Sequence, residues 1–212
     1  MPFSTYGANR WLNTELRLAA YTPAASNWVG LYTTMPDNGG ASGVEATGGS
    51  YARVRVDNIL AAAASKAIAN SSQVTFPTLT ASIGTARGFG IFDASTSGNL
   101  IFFDIFSTAR RAFTALAATD VCQCAGHDFV ATDRVRTFDP DDSALPGGLE
   151  QFVTYYVISP SGNTFQLSLT EGGAAINVSS DGSGLISRIT EQPLNTGVTV
   201  QFPISNLTVN IF

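Results

Sequence analysis

The stretch RGFGIFDASTSGNLIFFDIF, residues 87–106, decides the fold class of this chain. Two apolar, aromatic runs, RGFGIFDA and NLIFFDIF, meet at ASTSGN, and Ser, Gly and Asn are the residues that form tight turns. The pattern predicts an antiparallel β-hairpin with its turn at residues 94–99. It therefore indicates a chain that is built mainly from β-strands.

Shorter strand-like runs precede the hairpin. WVGLYTT (28–34) is apolar and aromatic and ends at the turn-rich PDNGGASG. YARVRVD (51–57) alternates, with its tyrosine and arginines on one face, which is typical of a strand. The alanine-rich segment 58–70 has good helix propensity, but a strand followed by a loop fits it equally well.

The first twenty residues follow a different pattern, in which apolar residues recur at helical spacing. Ser4 or Thr5 is available as the N-cap and Pro23 as the stop, so we expect an amphipathic helix of about three turns. The residues at this spacing are Trp11, Leu12, Glu15, Leu16 and Ala19. Such a helix either packs on the sheet of its own domain or docks on a neighbouring subunit.

A second zone of short strands begins near residue 113. VCQCAGHDFVATDRVRTF, TYYVIS, TFQLSL and AAINVSS are separated by the turns PDDSALPGG, PSGN and EGG. Strands at roughly 8–12-residue spacing predict a small all-β barrel or sandwich. The chain closes with VTVQFP and NLTVNIF, so we expect its end, Phe212 included, to be paired into a sheet.

The composition excludes several classes of protein. Of the 212 residues, 13% are charged, the formal net charge is -5 and the mean hydropathy is +0.15. These values argue against a disordered acidic chain, because such chains are highly charged and poor in apolar residues. No run approaches the ~20 apolar residues of a membrane-spanning helix, and the start lacks the pattern of a secretion signal. Lys66 is the single lysine, which argues against nucleic-acid binding. We expect a compact protein with no membrane or nucleic-acid partner.

Catalytic patterns are weak throughout. The single histidine, His127, lies in the Gly-flanked AGHDF, where a turn role is favoured over acid–base chemistry. The chain has no G-x-S-x-G motif for a nucleophilic serine. Asp139, Asp141 and Asp142 crowd into FDPDDS, which favours a solvated loop over a calcium site because the spacing of a calcium loop is missing.

The two cysteines, Cys122 and Cys124, form a C-x-C pair. On a strand they share one face and are poorly directed for a disulfide, so we predict free thiols. Together with His127 they would give zinc three ligands, whereas a structural zinc site uses four. We therefore expect no enzyme activity, no cofactor and no bound metal.

Aromatic residues are abundant, with 14 phenylalanines, six tyrosines and two tryptophans. Most fall on predicted strands, so core packing is the default expectation. Tyr32, Tyr51, Tyr155 and Tyr156 are candidates for facing a partner subunit or a glycan, because tyrosine combines an apolar ring with a polar hydroxyl.

Several motifs, in order along the chain, resemble those of small bacteriophage virion proteins usually labelled phage tail fibre proteins. The N-terminal helix runs into AYTPAA and WVGLYTT, and a Gly-Gly-x-Tyr-Ala-Arg motif follows at 48–53. The hairpin carries GIFDA and GNL, and residues 194–209 resemble the family's closing strands. The resemblance covers residues 8–111 and 193–212, and it implies a structural role in the virus particle.

The stretch between those two parts resembles a small β module that recurs in phage structural proteins, through GH, DRV, LPGGL, TYYV, TFQL and GGAAI. The resemblance implies a discontinuous outer domain, residues 1–112 and 193–212, of β-sandwich or barrel-like form, and an inserted small all-β module at 113–192. Exposed loop tips tolerate such insertions. A tandem arrangement, with the closing strands inside the second domain, is the alternative.

We therefore expect a structural component of a tailed-phage virion, associated with the tail, fibre or baseplate, that is made in the host cytoplasm. It would act through contacts with other virion proteins and as a symmetric homo-oligomer. The residues expected to make assembly contacts are Trp11, Leu12, Leu16, Tyr155 and Tyr156. A capsid decoration protein on the phage head is the alternative function. A third is an adhesin that binds host-surface glycans through exposed tyrosines.

Overall fold

The structure, a computed structural model, describes residues 3–20, 24–37, 39–139 and 145–210. The chain divides into two compact units: an outer unit, residues 1–106 with 191–212, and a barrel unit, residues 107–190. The elements in chain order are α1 (Thr5–Glu15), β1 (Trp28–Thr34), β2 (Val44–Glu45), β3 (Val54–Arg55), β4 (Ala67–Ala69), β5 (Val74–Thr75), β6 (Thr85–Ala86), β7 (Gly88–Phe92), β8 (Leu100–Ile105), β9 (Arg111–Leu116), β10 (Val121–Gln123), β11 (Arg134–Phe138), β12 (Thr154–Ser161), β13 (Thr164–Ser168), β14 (Gly182–Arg188), β15 (Gln192–Pro193), β16 (Gln201–Phe202) and β17 (Thr208–Asn210).

The outer unit is organised around a five-stranded sheet. Its strand order is β2-β1-β7-β8, and β3 also pairs with β1. The pair β7–β8 is the predicted hairpin, antiparallel with Gly90 opposite Phe103. Four consecutive residues of β1 are buried. Strand β1 is central in the sheet, with β7 along one side and β2 and β3 along the other.

Three short ladders complete the outer unit. After the barrel unit, the chain returns antiparallel along its own earlier strands, so that β15 pairs with β6, β16 with β5 and β17 with β4. This return places Phe202 opposite Val74 and Val209 opposite Ile68. The main core of the unit consists of buried residues from both chain segments: Val29, Leu31, Ala46, Val56, Val74, Phe76, Leu79, Ala86, Phe89, Leu194, Val200, Phe202 and Leu207.

The barrel unit is a closed six-stranded barrel with the strand order β10-β13-β12-β11-β14-β9. Closure leaves no open sheet edge, which removes the backbone groups that would otherwise pair with another chain. The interior is filled by side chains that alternate along the strands, among them Phe113, Val135, Tyr155, Phe165 and Ile186.

The mainly β class, the short N-terminal helix and the small all-β module are confirmed. Along the chain, the border between the two compact units lies between residues 106 and 107 and again between residues 190 and 191. The predicted borders, 112/113 and 192/193, lie inside β9 and β15. Independent folding of the two units stays a prediction. No helix among the described residues is long and apolar enough to span a membrane.

Some predicted strands are shorter or lie elsewhere. The run 51–57 forms a strand only at Val54–Arg55, because turns closed by Tyr51 N–H to Gly48 O and by Ile59 N–H to Val56 O cut it at both ends. The segment 58–70 contains no helix, and its strand is β4.

The predicted strand AAINVSS is also wrong. Its backbone N–H groups bond outside any ladder: that of Val178 donates to Asp120 Oδ1, and that of Ile176 donates to Leu167 O near the end of β13. The strand that completes this part of the barrel is β14. Phe212 lies outside the described residues, and the last described strand is β17.

Candidate assembly surface

The N-terminal helix begins at a specific cap. Ser4 is the N-cap, with extended backbone, and its Oγ accepts a hydrogen bond of 3.0 Å from Gly7 N–H, as the sequence predicts for Ser4 or Thr5. The Ser4 hydroxyl also donates to the Leu100 carbonyl. The cap therefore fixes the helix start to β8.

Close packing attaches the first half of α1 to its own sheet. Ser4 N–H donates to Ile101 O at 2.9 Å, and the rings of Phe3 and Phe102 lie 4.4 Å apart. A Cβ at Gly7 would collide with the Ile101 carbonyl oxygen, so glycine is what permits this approach. The first half of the helix therefore packs on the sheet of its own unit, which is one of the two arrangements expected from the sequence.

The helix ends earlier than the sequence predicts. It stops at Glu15, so that Leu16 is the C-cap and Ala19 lies beyond it. Ala19 N–H donates back to Asn13 O, and Leu18, two residues after the C-cap, holds the left-handed conformation at φ 52°, which glycine adopts most readily. Pro23, the predicted stop, lies outside the described residues.

The second half of α1 exposes large apolar side chains. The exposed fractions are 47% for Trp11, 44% for Leu12, 72% for Leu16 and 84% for Leu18. We call Trp11, Leu12 and Leu16 the helix face. The three predicted contact residues of the N-terminus are thus all substantially exposed, and a contact role for them stays a prediction.

A groove runs along the same helix. It has a volume of about 520 Å³, and its walls include Trp11 on α1, Ile68 on β4, Ile101 and Phe102 on β8, and Val209 on β17. We call it the helix groove. Trp11 therefore belongs both to the helix face and to the wall of the helix groove.

A buried arginine holds the hairpin turn of the outer unit. Arg53 donates from Nε and Nη2 to the two carboxylate oxygens of Glu45, at 2.8 and 2.7 Å. Its Nη1 donates to the carbonyls of Ala94 and Ser97 at 2.8 and 2.7 Å, and its guanidinium lies 3.4 Å from the Phe92 ring centre. Arg53 thus lies just outside β3, the part of the predicted strand that forms, and its bonds position the hairpin turn.

The tyrosine of the same motif is also part of the interior. Tyr51 Oη accepts from Leu31 N–H at 2.7 Å and donates to Glu45 Oε1 at 3.0 Å, and burial raises the pKa of its hydroxyl. Tyr32 is buried against Phe92. Both rings therefore pack against phenylalanines of the outer unit.

In the barrel unit, Tyr155 and Tyr156 lie on opposite faces of β12. Tyr155 is buried in the core, its Oη accepts from Glu150 N–H at 2.8 Å, and burial raises its pKa. Packing is therefore the role that its position supports. Tyr156 is half-buried, with the Arg134 guanidinium 5.6 Å above its ring. A contact role for Tyr156 stays a prediction.

The two cysteines belong to the barrel core, and the histidine packs against Phe129 and Phe165 of the same unit. Cys122 and Cys124 are free and buried, and burial raises the pKa of Cys122 to about 12. His127 Nδ1 accepts from Phe129 N–H at 3.2 Å, and its ring stacks on Phe129. Within the described ranges, His, Cys, Asp and Glu side chains form no group that could hold a metal ion. Asp141 and Asp142 lie outside these ranges.

Comparison with known families settles the family of the chain. A family model described as podophage GP4 fiber I protein gp80 matches residues 2–125, which is more than half of the chain. The chain belongs to this phage fibre protein family. The match spans α1, the hairpin and the Arg53 motif, and it continues to β10 of the barrel unit. No curated protein matches the chain.

Membership in the fibre family makes the chain a virion component with a structural role in the phage tail fibre, which associates with other virion proteins. This confirms the resemblance that the sequence motifs indicate. The helix face and Arg53 with its bonding partners lie within the matched residues, as do the groove walls named above except Val209 on β17.

Proposed function

We propose that this fibre protein is a non-enzymatic assembly component of the tail, fibre or baseplate, and that the helix face is the surface through which it joins the particle. The observation that carries the proposal is the exposure of Trp11, Leu12 and Leu16 on a helix that is fixed to its own sheet at the other end. A rigidly held apolar surface costs little conformational entropy when it is covered by another protein.

The energetics favour an assembly role for these side chains. Fully burying a leucine or similar side chain stabilises a contact by about 1.5–3 kcal/mol. Trp11 and Leu12 are still 47% and 44% exposed in the folded chain and Leu16 is 72% exposed, so a substantial part of this gain is still available for association. Aromatic anchors such as tryptophan are the side chains that most often dominate such interfaces.

The test is a double variant, Trp11→Ala with Leu16→Ala, introduced into the phage genome. We expect the variant to be strongly depleted from purified particles, as measured by quantitative blotting against the major virion protein. Its urea midpoint in isolation should stay near that of the wild-type chain, because both side chains are substantially exposed.

The matched control is Leu169→Ala in the barrel unit, a leucine that is 62% exposed. This variant should enter particles normally. Normal incorporation of the double variant would refute the proposal. If the isolated double variant has a much lower urea midpoint than the wild-type chain, its loss from particles reflects misfolding, and the assignment of these residues to assembly is refuted.

A further inference from the structure

Strand β17 has one open edge. It pairs with β4 along its other edge and has no second strand neighbour among the described residues. Just before this ladder, Asn70 N–H donates to Leu207 O at 3.2 Å, and Leu207 N–H donates to the Asn70 side chain at 2.9 Å. The backbone groups of Leu207 therefore face β4. Because these groups alternate in direction along a strand, those of Val209 also face β4, whereas those of Thr208 face the open edge.

The backbone of Thr208 has no partner at this edge. Within the described part of the chain, neither its N–H nor its C=O makes a hydrogen bond outside the β4–β17 ladder. Its side chain is bonded locally, with Oγ1 donating to Ser205 O at 2.8 Å. An unpaired N–H and C=O on one strand edge are the groups to which an added strand bonds.

The open edge borders the helix groove. Val209, the next residue along β17, lines the groove together with its ladder partner Ile68. Opposite residues of neighbouring strands share a face of the sheet, so a strand added along β17 would place the residue opposite Val209 on this same face. The apolar wall of the groove would thereby continue onto the added strand.

A cation marks one end of this edge. Lys66, the single lysine of the chain, lines the groove and directly precedes Ala67, which lies opposite Asn210 at the end of β17. Its side chain is exposed and makes no hydrogen bond or ion pair with the described residues. A tight turn fixes its backbone, because Ala64 and Ala67 exchange two hydrogen bonds of 2.9 Å around Ser65 and Lys66. A carboxylate that reached this end of the edge would meet an ammonium group with no other partner there.

Resting on the proposed assembly role of this surface, we propose that β17 takes up an extended, acidic segment of a different virion protein as an additional strand. Thr208 N–H and C=O bond to the backbone of the segment, an apolar side chain opposite Val209 extends the groove wall, and a carboxylate pairs with Lys66. The charge of the segment follows from the groove, whose described walls carry two cations, Arg10 and Lys66, and one carboxylate, Glu15. In strand addition, backbone hydrogen bonds provide affinity and side-chain contacts provide specificity.

Two variants of Thr208 separate its backbone from its side chain. Thr208→Pro removes the N–H that faces the open edge, whereas Thr208→Ala keeps this N–H and loses the bond to Ser205 O. With each variant introduced into the phage genome, we expect Thr208→Pro to be depleted from purified particles about tenfold or more, by quantitative blotting. Thr208→Ala should be incorporated normally. Normal incorporation of Thr208→Pro, or equal depletion of both variants, would overturn the proposal.

Lys66 tests the proposal on a different element, so the result does not depend on whether β17 tolerates proline. Lys66→Glu should reduce incorporation about tenfold, because it places like charges together, and Lys66→Arg should preserve it. The matched control is Glu15→Lys, the opposite charge change on the groove wall, which should not reduce incorporation. All three variants should keep the urea midpoint of the wild-type chain, since both side chains are exposed. Depletion of Glu15→Lys with normal incorporation of Lys66→Glu would show a basic segment and overturn the acidic one.

Amide hydrogen exchange measures the strand addition itself. In the isolated full chain, Thr208 N–H should exchange about tenfold or more faster than Val209 N–H, because only Val209 is held in the ladder. In intact particles the two amides should be protected to a similar extent, as measured by mass spectrometry with fragmentation to single residues. Equal exchange of Thr208 in the isolated chain and in particles would contradict the proposal. Protection of Thr208 that appears in the isolated chain as its concentration is raised would show that a second copy covers the edge, which also overturns it.

The failure of this proposal can be separated from failure of the assembly role. If the Trp11 and Leu16 double variant is lost from particles while Thr208→Pro and Lys66→Glu enter normally, the helix face stands and the added strand is refuted. If Thr208→Pro and Lys66→Glu are lost while the double variant enters normally, the added strand stands and the role of the helix face in incorporation is refuted.

Discussion

Replacing Arg53 by alanine should strongly destabilise the outer unit. The Arg53 side chain is only 7% exposed, and it donates to both oxygens of Glu45 and to two carbonyls of the hairpin turn. Removing one member of a buried ion pair costs about 3–5 kcal/mol, because the remaining charge is left without its partner. Glu45 is 22% exposed, so water reaches the carboxylate and we expect the lower part of that range.

Urea unfolding followed by tryptophan fluorescence measures this loss selectively. Both tryptophans, Trp11 and Trp28, belong to the outer unit, so the signal reports that unit. Arg53→Lys should lose about half as much free energy of unfolding as Arg53→Ala, because lysine keeps the charge but cannot bond to the carboxylate and the turn with one planar group.

The matched control is Arg55→Ala, two residues along the same segment. Arg55 also pairs with a carboxylate, that of Asp57, but its side chain is 49% exposed, and such pairs contribute little. Its urea midpoint should stay close to that of the wild-type chain. If Arg53→Ala lowers the midpoint no more than Arg55→Ala does, the structural role assigned to Arg53 is wrong.

Three other measurements test local features. Leu18→Gly should stabilise the outer unit by roughly 0.5–1 kcal/mol in urea unfolding, because glycine takes φ 52° without a steric penalty, and destabilisation would contradict this. Burial raises the pKa of Cys122 to about 12, so iodoacetamide near neutral pH should label this thiol only when the barrel opens. Mass spectrometry measures the labelling, and rapid labelling of the folded protein would contradict the burial of Cys122. Burial, and then the charge of Glu45, raise the pKa of Tyr32 from 10.0 to about 12. The stabilisation from neutral Tyr32 is complete below pH 10 and is lost as the pH rises toward 12, so Tyr32→Phe should flatten that part of the stability curve.

Elements with strong local patterns were predictable from the sequence. WVGLYTT forms β1 over its full length, and the two apolar runs around ASTSGN form the β7–β8 hairpin. Ser4 caps the helix as its side chain predicts. In each case the residues that decide the element lie within a few positions of one another, so periodicity and turn chemistry suffice.

Strand β14 could not be predicted, because its glycines serve contacts with a distant loop. A Cβ at Gly184 would lie 2.6 Å from the Leu145 side chain, and one at Gly182 would lie 2.9 Å from Pro146. Glycine weakens the strand pattern of DGSGLISR while permitting this close approach. The need for glycine becomes visible only when the loop is in place.

The candidate site, like the fold, was predictable from the sequence only in part. Helical spacing identified Trp11, Leu12 and Leu16 as apolar residues of the N-terminal helix, since that spacing is local, but it did not determine that all three are exposed. The helix groove is built from α1, β4, β8 and β17, and Arg53 donates to the carbonyls of Ala94 and Ser97, 41 and 44 residues away. These contacts join residues far apart in the chain, and local periodicity carries no signal for them.

The most direct test of the proposed role is the position of the protein in the particle. Immunogold labelling of intact particles, with an antibody raised against the barrel unit, measures it, and blotting of the purified particles confirms that the protein is present. We predict gold at the tail or its tip, as expected for a fibre component that joins the particle through its helix face. Gold scattered over the head would contradict this role and favour a capsid decoration protein.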